Sequence, residues 1–599
     1  MEQSQTLFDA ATLITMAASL LVSAAAFLVM RFYLRAIFRE SQRMSTARND
    51  ARVIEGDGRA LHTSGGHLDI QVERPQGGAA GPLRSPTFRL ASAAFRRAAG
   101  IYWLGGSIHV ATSVALLSAQ SSPSFTSRFT LASWYAGRFW AWSFFTLVAL
   151  ALFYGPDRRI RAFLVAAYVV ALPALGAFLQ VAGAPAVSFA EVAEAEPLLK
   201  AEAVLLFPMA EAVTGSRVSA QTMFFSPISQ LLMFFGLSGA PVFIPLLTFN
   251  RFVRGTVGPL FINLALMMLL TTFVINDVWL NTPLGIRLIV QLKEAFGGWT
   301  LAVMTALSLT LAIAIAVPAV LWIAGRYRRG QLSDQTFLFD ALWLSASICV
   351  CVYLMANPTP FYYLLGLVPF VLYKVVVGWS LRPSAKAIGR LPEARLLYLR
   401  VFGSARRAER LFDLLAARWR HAGSIQLISA TDIARGRFEP DEFLDFLNRR
   451  IADAYITSED DLNRCLAALQ QRPDPDGRYR VHEFFCRADT WQRTVSTLAA
   501  ASSLVIMDLR GFTADNKGCI FELSVLIDEA PLSRVVLLID QSTDEPLLRG
   551  TLADLWEGVD PQSPNAEQSA GIRFVDLGGG FPAAVRHLLQ LGDGIVAQA

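Results

Sequence analysis

The chain alternates between long uncharged runs and short stretches dense in arginine. Ala11 to Met30 is twenty residues without a charge, the length of one membrane-crossing helix. It lacks a basic start and a small-residue cleavage site, so it is expected to remain as an anchor. Further apolar runs near 101–118, 138–154, 162–182, 223–249, 257–275, 299–323, 336–355 and 361–380 predict eight more spans, nine in all. After Arg382 the pattern changes. Charge becomes frequent, apolar runs shorten, and strand-like and helix-like segments alternate to the end.

That later alternation predicts a second kind of structure. Leu396–Phe402 reads as a strand, Ala408–Trp419 carries apolar residues at helical spacing, and Ser424–Ser429 reads as the next strand. Helical patterns are expected at Asp441–Ile451 and from Ser458 to Leu469, with Tyr479–Phe485 an extended excursion. A helix capped by Asp489 or Thr490 runs to Ala500, and Ser503–Asp508 is a strand. A helix from Cys519, a strand at Arg534–Asp540, a helix at Leu547–Trp556, a strand at Gly571–Asp576 and a helix at Pro582–Leu591 follow. Strands alternating with helices imply a doubly wound, flavodoxin-like α/β domain with a parallel sheet of about five strands.

The resulting layout is an N-terminal anchor over 1–39, a flexible linker over 40–97, an eight-span membrane domain over 98–382 and an α/β domain over 390–595. The linker assignment rests on its Arg, Gly, Pro and Ser content. Within it Leu68–Val72 alternates like one short strand, which alone would be marginal.

Charge fixes an expected orientation. Arg31, Arg35, Arg39, Arg43, Arg48 and Arg52 follow the first span, and Arg158, Arg159, Arg161, Arg251, Arg254, Arg326, Arg328 and Arg329 fall in alternate turns. The loops between are poorer in base. The positive-inside rule then places the N-terminus outside and the α/β domain in the cytoplasm, as in a multi-pass protein of a bacterial inner membrane. Two segments, 183–222 and the amphipathic 283–296, are expected to lie along the outer surface.

Composition agrees: 54% of residues are hydrophobic and 17% charged, against about 25% charged in soluble domains. The net charge of +5 belongs to span-flanking arginines. No Lys/Arg stripe interleaved with aromatics is present, so nucleic acid is not an expected partner; the lipid bilayer is. The five cysteines show no metal spacing and no C-x-x-C pair, so neither a metal nor a disulfide framework is expected. His109, Gln230 and Asp340 are the polar residues within spans that a transport path would use. Gly578–Gly579–Gly580 precedes a helix and reads as a turn.

The candidate chemistry lies between Ser503 and Asp528. Asp508 ends a buried strand, a polar loop with Gly511, Thr513, Asp515, Asn516 and Gly518 follows, and Glu522 falls on the first turn of the expected helix. In open α/β sheets ligands bind outside such strand ends. A helix dipole alone also favours a first-turn glutamate, with Cys519 and Leu523 then simply core residues.

The run Leu399-Arg400-Val401-Phe402-Gly403-Ser404-Ala405-Arg406-Arg407 resembles the opening strand and first loop of TIR domains. Cys519-x-x-Glu522-Leu523 resembles the TIR tryptophan-cysteine-x-x-glutamate-leucine motif, with Gly518 standing at the tryptophan position. The resemblance covers about a third of the chain. It implies a self-associating signalling module, hence a homo-oligomer, or an enzyme hydrolysing NAD between nicotinamide and ribose. NAD would then be a substrate, and no resident cofactor is expected. Nucleoside deoxyribosyltransferases look related and also set a glutamate against the sugar. The resemblance gives Glu522 the catalytic role. It places Phe402, Gly403, Ser404, Arg406, Asp508 and Cys519 around the nucleotide, with Arg406 meeting phosphate. The functional expectation is a membrane-tethered signalling or defence effector. Its rivals are a non-enzymatic assembly module and a transporter regulated by its soluble domain.

Overall fold

The structure is a computed structural model. It describes Phe32, residues 68–75 and 83–120, scattered positions between 143 and 167, residues 257–355, 357, 359–401, 405–429, 455–469, 472–486, 490–566 and 571–598. The chain divides into two compact units. One takes Met1–Val29, Ala99–Arg328 and Asp334–Ser380; the other takes Met30–Ala98, Arg329–Ser333 and Leu381–Ala599.

Among its described residues the first unit is helical. Its described helices are α1 (Pro86–Gln120, from Ala99 onward), α2 (Val257–Asn281), α3 (Pro283–Phe296), α4 (Thr300–Arg328), α5 (Asp334–Leu354) and α6 (Val368–Ile388, up to Ser380). Among the described residues four helices are long and apolar enough to cross a membrane: Pro86–Leu117, Ile262–Asn281, Ala302–Arg328 and Tyr362–Ile388. These coincide with the runs expected near 101–118, 257–275, 299–323 and 361–380. The run at 336–355 is helical as α5 but is not one of the four. It is packed among the unit's other described helices, with Phe339, Ala341, Leu342, Trp343, Ala346 and Val350 at 0% exposure. The runs at 11–30 and 223–249 lie outside the described residues and 162–182 largely so; of 138–154, residues 143, 145–150, 152 and 153 are described, all of them helical. The amphipathic 283–296 is α3: Thr282 caps it, its Oγ1 accepting from the Gly285 N–H, and Leu284, Ile286 and Val290 are exposed.

The second unit is built on one parallel sheet of eight strands: β1 (Asp69–Glu73), β2 (Leu396–Arg400), β3 (Ile425–Ser429), β4 (Tyr455–Ile456), β5 (Val481–Cys486), β6 (Leu504–Asp508), β7 (Val535–Ile539) and β8 (Gly571–Asp576). Their spatial order is β1-β8-β7-β6-β2-β3-β5-β4. The central strands β2, β6 and β7 are short and apolar on both sides, as a sheet covered on two faces requires. Alternate residues therefore feed two separate cores.

One core takes Leu397, Leu399, Val505, Met507, Val535 and Leu537 against α8 (Glu459–Ala468), α9 (Trp491–Ala501), α10 (Lys517–Glu529) and α11 (Glu545–Glu557). The other takes Leu396, Tyr398, Leu504, Ile506, Val536 and Leu538 against α7 (Ala405–Trp419), α12 (Phe581–Gln598) and the first turns of α1. Backbone contact is close where β2 and β3 begin: a Cβ on Gly423 would lie 1.9 Å from the Ala394 carbonyl oxygen.

Eight strands replace the expected five because three weak segments acquire partners. The 479–485 excursion is β5, paired with β3 and with the two-residue β4. Leu68–Val72, placed by composition in a flexible linker, supplies edge strand β1, in parallel register with β8 from Asp69↔Gly571 to Glu73↔Val575. Side chains hold it: Glu73 meets His587, and Arg74 Nε lies 3.2 Å from Asp576. The following chain is tied down by buried Asp593 on α12, which accepts from the Arg84 N–H at 2.5 Å, the Ser85 N–H at 2.8 Å and the Ser85 hydroxyl at 2.7 Å. Much of 68–98 is therefore part of the α/β unit, because a strand too weak alone gains a full ladder from β8. The helix expected at Asp441–Ile451 lies outside the described residues.

Candidate functional site

The sheet reverses direction between β2 and β6. From β2 the chain moves outward through α7 to β3; from β6 it moves the other way through α10 to β7. The carboxyl ends of β2 and β6 flank the crevice where open α/β sheets bind ligands. Two polar microenvironments stand at this edge, one on each face of the sheet.

The first is on the α7/α12 face. Asp508 ends β6 and is 3% exposed, as is Arg510. Arg510 grips it in bidentate fashion, Nε to Oδ1 at 2.8 Å and Nη2 to Oδ2 at 2.6 Å. The Tyr398 hydroxyl, from β2, donates to Oδ2 at 2.9 Å. The Arg510 guanidinium also lies 5.4 Å from the Phe581 ring centroid, at the start of α12. Burial, then the Asp508 charge, push the Tyr398 phenol well above its ordinary pKa. Burial opposes the charge on Arg510, but the hydrogen bonds and charge of Asp508 outweigh it and raise its pKa. The carboxylate is thus saturated with donors.

Gly511 sits at φ 77°, a turn that glycine adopts without strain. The loop it opens is clasped from β7's side: the Thr543 hydroxyl donates to the Leu509 carbonyl at 3.1 Å, and the Asp544 N–H to the Phe512 carbonyl at 3.2 Å. Asn516 Oδ1 accepts from the Thr513 N–H at 2.8 Å. The switch-point loop after β6 is therefore held at both ends.

The second microenvironment is on the opposite face. Helix α10 begins at Lys517, two residues earlier than expected, so Glu522 stands in its second turn and no acidic residue occupies the first. The dipole account of a first-turn glutamate loses its force at this distance. Glu522 is 1% exposed and its Oε2 has no hydrogen-bond partner among the described residues. Its neighbours on the same helical face, Cys519 and Leu526, and the adjacent Leu523, are core residues at 1%, 1% and 0% exposure. Desolvation pushes the Glu522 carboxyl up to about 8. Roughly nine molecules in ten then carry it protonated at pH 7.

The structure thus separates two residues the sequence placed in one site. Asp508 turns toward α7 and α12, whereas Glu522 and Cys519 lie on the α9/α10 side. Phe402, Gly403 and Ser404 lie outside the described residues. Arg406 is in the first turn of α7, and its side chain also lies outside them. Tyr398 and Phe581 were not singled out by sequence. Tyr398 sits in an apolar strand where a tyrosine is unremarkable, and Phe581 opens a helix 71 residues beyond its arginine. Among the described residues no cluster of three metal-ligating side chains is found. Comparison with family models, with curated proteins and with solved structures returned no match.

Proposed function

We propose that the chain is a membrane-tethered effector whose α/β unit is a flavodoxin-like, TIR-like module that binds a nicotinamide nucleotide and cleaves its N-glycosidic bond. The single observation that carries this reading is Glu522: a buried carboxyl with an unpartnered oxygen, on the helix that follows the switch-point strand. Burying such a group without a partner costs stability, and perturbed carboxyls of this kind concentrate at functional sites. The order β3-β2-β6-β7-β8 within the sheet is the 2-1-3-4-5 order of flavodoxin-like folds, which bind nucleotide at the same switch point.

The chemistry follows from the charge of the substrate. NAD carries a cationic nicotinamide ring. Bound beside Glu522, that charge favours the ionised carboxylate and releases its proton. Departure of nicotinamide leaves positive charge on the ribose carbon. A carboxylate at that point stabilises or captures the oxocarbenium, and water completes hydrolysis. The apolar surroundings strengthen the attraction by excluding competing solvent. The four apolar helices support the membrane tether, and the arginine-rich turns support a cytoplasmic module in an inner membrane.

The test uses the whole chain in detergent, because β1 and the Asp593 contacts tie residues 68–98 into the unit. Nicotinamide release from NAD is followed for wild type and Glu522→Gln, each free and cross-linked into oligomers. Release by wild type and its loss in the variant are expected. No release by wild type in either state sinks the enzymatic reading.

A further inference from the structure

The helical unit holds a cluster that the α/β chemistry does not use. Asp340, Trp343 and Ser347 occupy one face of α5, at the i, i+3 and i+7 spacing of a helix stripe. Asp340 Oδ2 accepts from Lys374 Nζ, on α6, at 2.6 Å. Its other oxygen, Oδ1, is buried with no hydrogen-bond partner among the described residues. The same holds for Trp343 Nε1, the Tyr373 hydroxyl and the Thr146 hydroxyl.

The side chains that carry these atoms pack together. The Trp343 and Tyr373 rings lie 5.5 Å apart between centroids. Gly106 of α1 shows the packing on the other side: a Cβ there would lie 2.7 Å from the Trp343 ring and 3.1 Å from Thr146 Oγ1. The Asp340 carboxylate is within electrostatic reach of the Tyr373 hydroxyl. Beyond Trp343, whose ring centroid is 4.7 Å from that of His109, the polar series continues. His109 is fully buried; its Nε2 pairs with Ser347 Oγ at 2.9 Å and its Nδ1 with Ser113 Oγ at 3.4 Å. Arg326, on α4, acts on Asp340 from further away.

Charged and polar side chains inside a membrane helix bundle are costly and mark ion or proton paths. A water needs two to four polar partners to be held in a protein interior, and the unpaired atoms around Trp343 supply two acceptors with mobile hydroxyl protons, one donor and one carboxylate oxygen. Among the described residues Lys374 neutralises Asp340, so the cluster offers no net negative charge to a metal cation. We propose that this cluster holds a short file of water and conducts protons through the helical unit, with Asp340 as the carrier.

The proton balance is simple. A proton from the file adds to Asp340 Oδ1, making the carboxyl neutral and loosening its pair with Lys374. It leaves from the same group to the next water, held by Tyr373 and Thr146, and the ion pair re-forms. His109 accepts and passes on a proton between its two nitrogens in the same way, with Ser347 and Ser113 as its partners. Each passage returns every residue to its starting state, so no oxidant or co-reactant is needed.

The test reconstitutes the full chain into phosphatidylethanolamine–phosphatidylglycerol vesicles loaded with the pH-sensitive dye pyranine. A potassium gradient with valinomycin makes the interior negative. Wild type is expected to acidify the lumen faster than protein-free vesicles, and Asp340→Asn to fall to the protein-free rate. Tyr373→Phe removes only a hydroxyl, keeps the packing and is expected to slow conduction. It also decides the matter should Asp340→Asn fail to fold. A wild-type rate equal to that of protein-free vesicles overturns the proposal, and so does wild-type conduction by folded Tyr373→Phe.

Discussion

Glu522→Gln tests the buried carboxyl through stability alone, independently of any reaction. In the unfolded chain Glu522 titrates near its ordinary 4.5, and in the folded chain near 8. Below 4.5 both states hold the proton and burial imposes no pH dependence. Between the two values the unfolded chain releases it and the folded one does not, so stability falls as pH rises, by about 1.4 kcal/mol per pH unit. Across the window this amounts to about 5 kcal/mol, and by pH 7 to about 3 kcal/mol. The amide of glutamine does not titrate, so the variant lacks this slope. The two proteins are expected to melt together near pH 4.5 and to diverge above it, with the variant the more stable. For a domain of this size a kcal/mol moves the melting temperature by about 2–4 °C, so the gap at pH 8 is on the order of 10 °C. The measurement is tryptophan fluorescence on heating the detergent-solubilised chain, wild type and variant side by side from pH 4.5 to 8.5. Parallel pH profiles would falsify the assignment of Glu522 to a desolvated environment.

Other expectations follow from single contacts. Arg510→Ala strands the buried Asp508 carboxylate and should cost about 3–5 kcal/mol; the double variant Asp508→Ala/Arg510→Ala should cost less than the sum of the two single losses, and strict additivity in thermal melts would remove the pair. Asp593→Ala leaves three donors at Arg84 and Ser85 without their acceptor; faster hydrogen exchange in β1 is expected, with a stability loss of about 1–3 kcal/mol. Gly423→Ala drives a methyl into the Ala394 carbonyl, so folded yield should collapse, and a normal yield would mean that β2 and β3 separate freely. If nicotinamide nucleotide displaces the Glu522 proton, calorimetry in buffers of different ionisation enthalpy should show proton release on NAD binding near pH 7, absent in Glu522→Gln.

The length of the apolar runs was enough to announce membrane helices, because crossing a bilayer demands about twenty uncharged residues in a row. Alternating strands and helices from Leu396 onward were enough to announce a parallel α/β sheet, since buried parallel strands are apolar on both sides. Glu522 could be marked as a candidate from its place after a strand and a polar loop, but its burial could not. What composition could not carry was partnership across the chain. Leu68–Val72 looks like linker until β8 offers it a ladder hundreds of residues away, and Tyr479–Phe485 looks irregular until β3 and β4 flank it. Asp508 and Glu522, close in sequence and both acidic, belong to opposite faces of the sheet, and which face each serves depends on strand register and on a helix start two residues earlier than its pattern suggested. The proton value of Glu522 is likewise a tertiary property. A side chain's own chemistry sets it near 4.5, and only the packing of α10 against the sheet removes the water that would have kept it there.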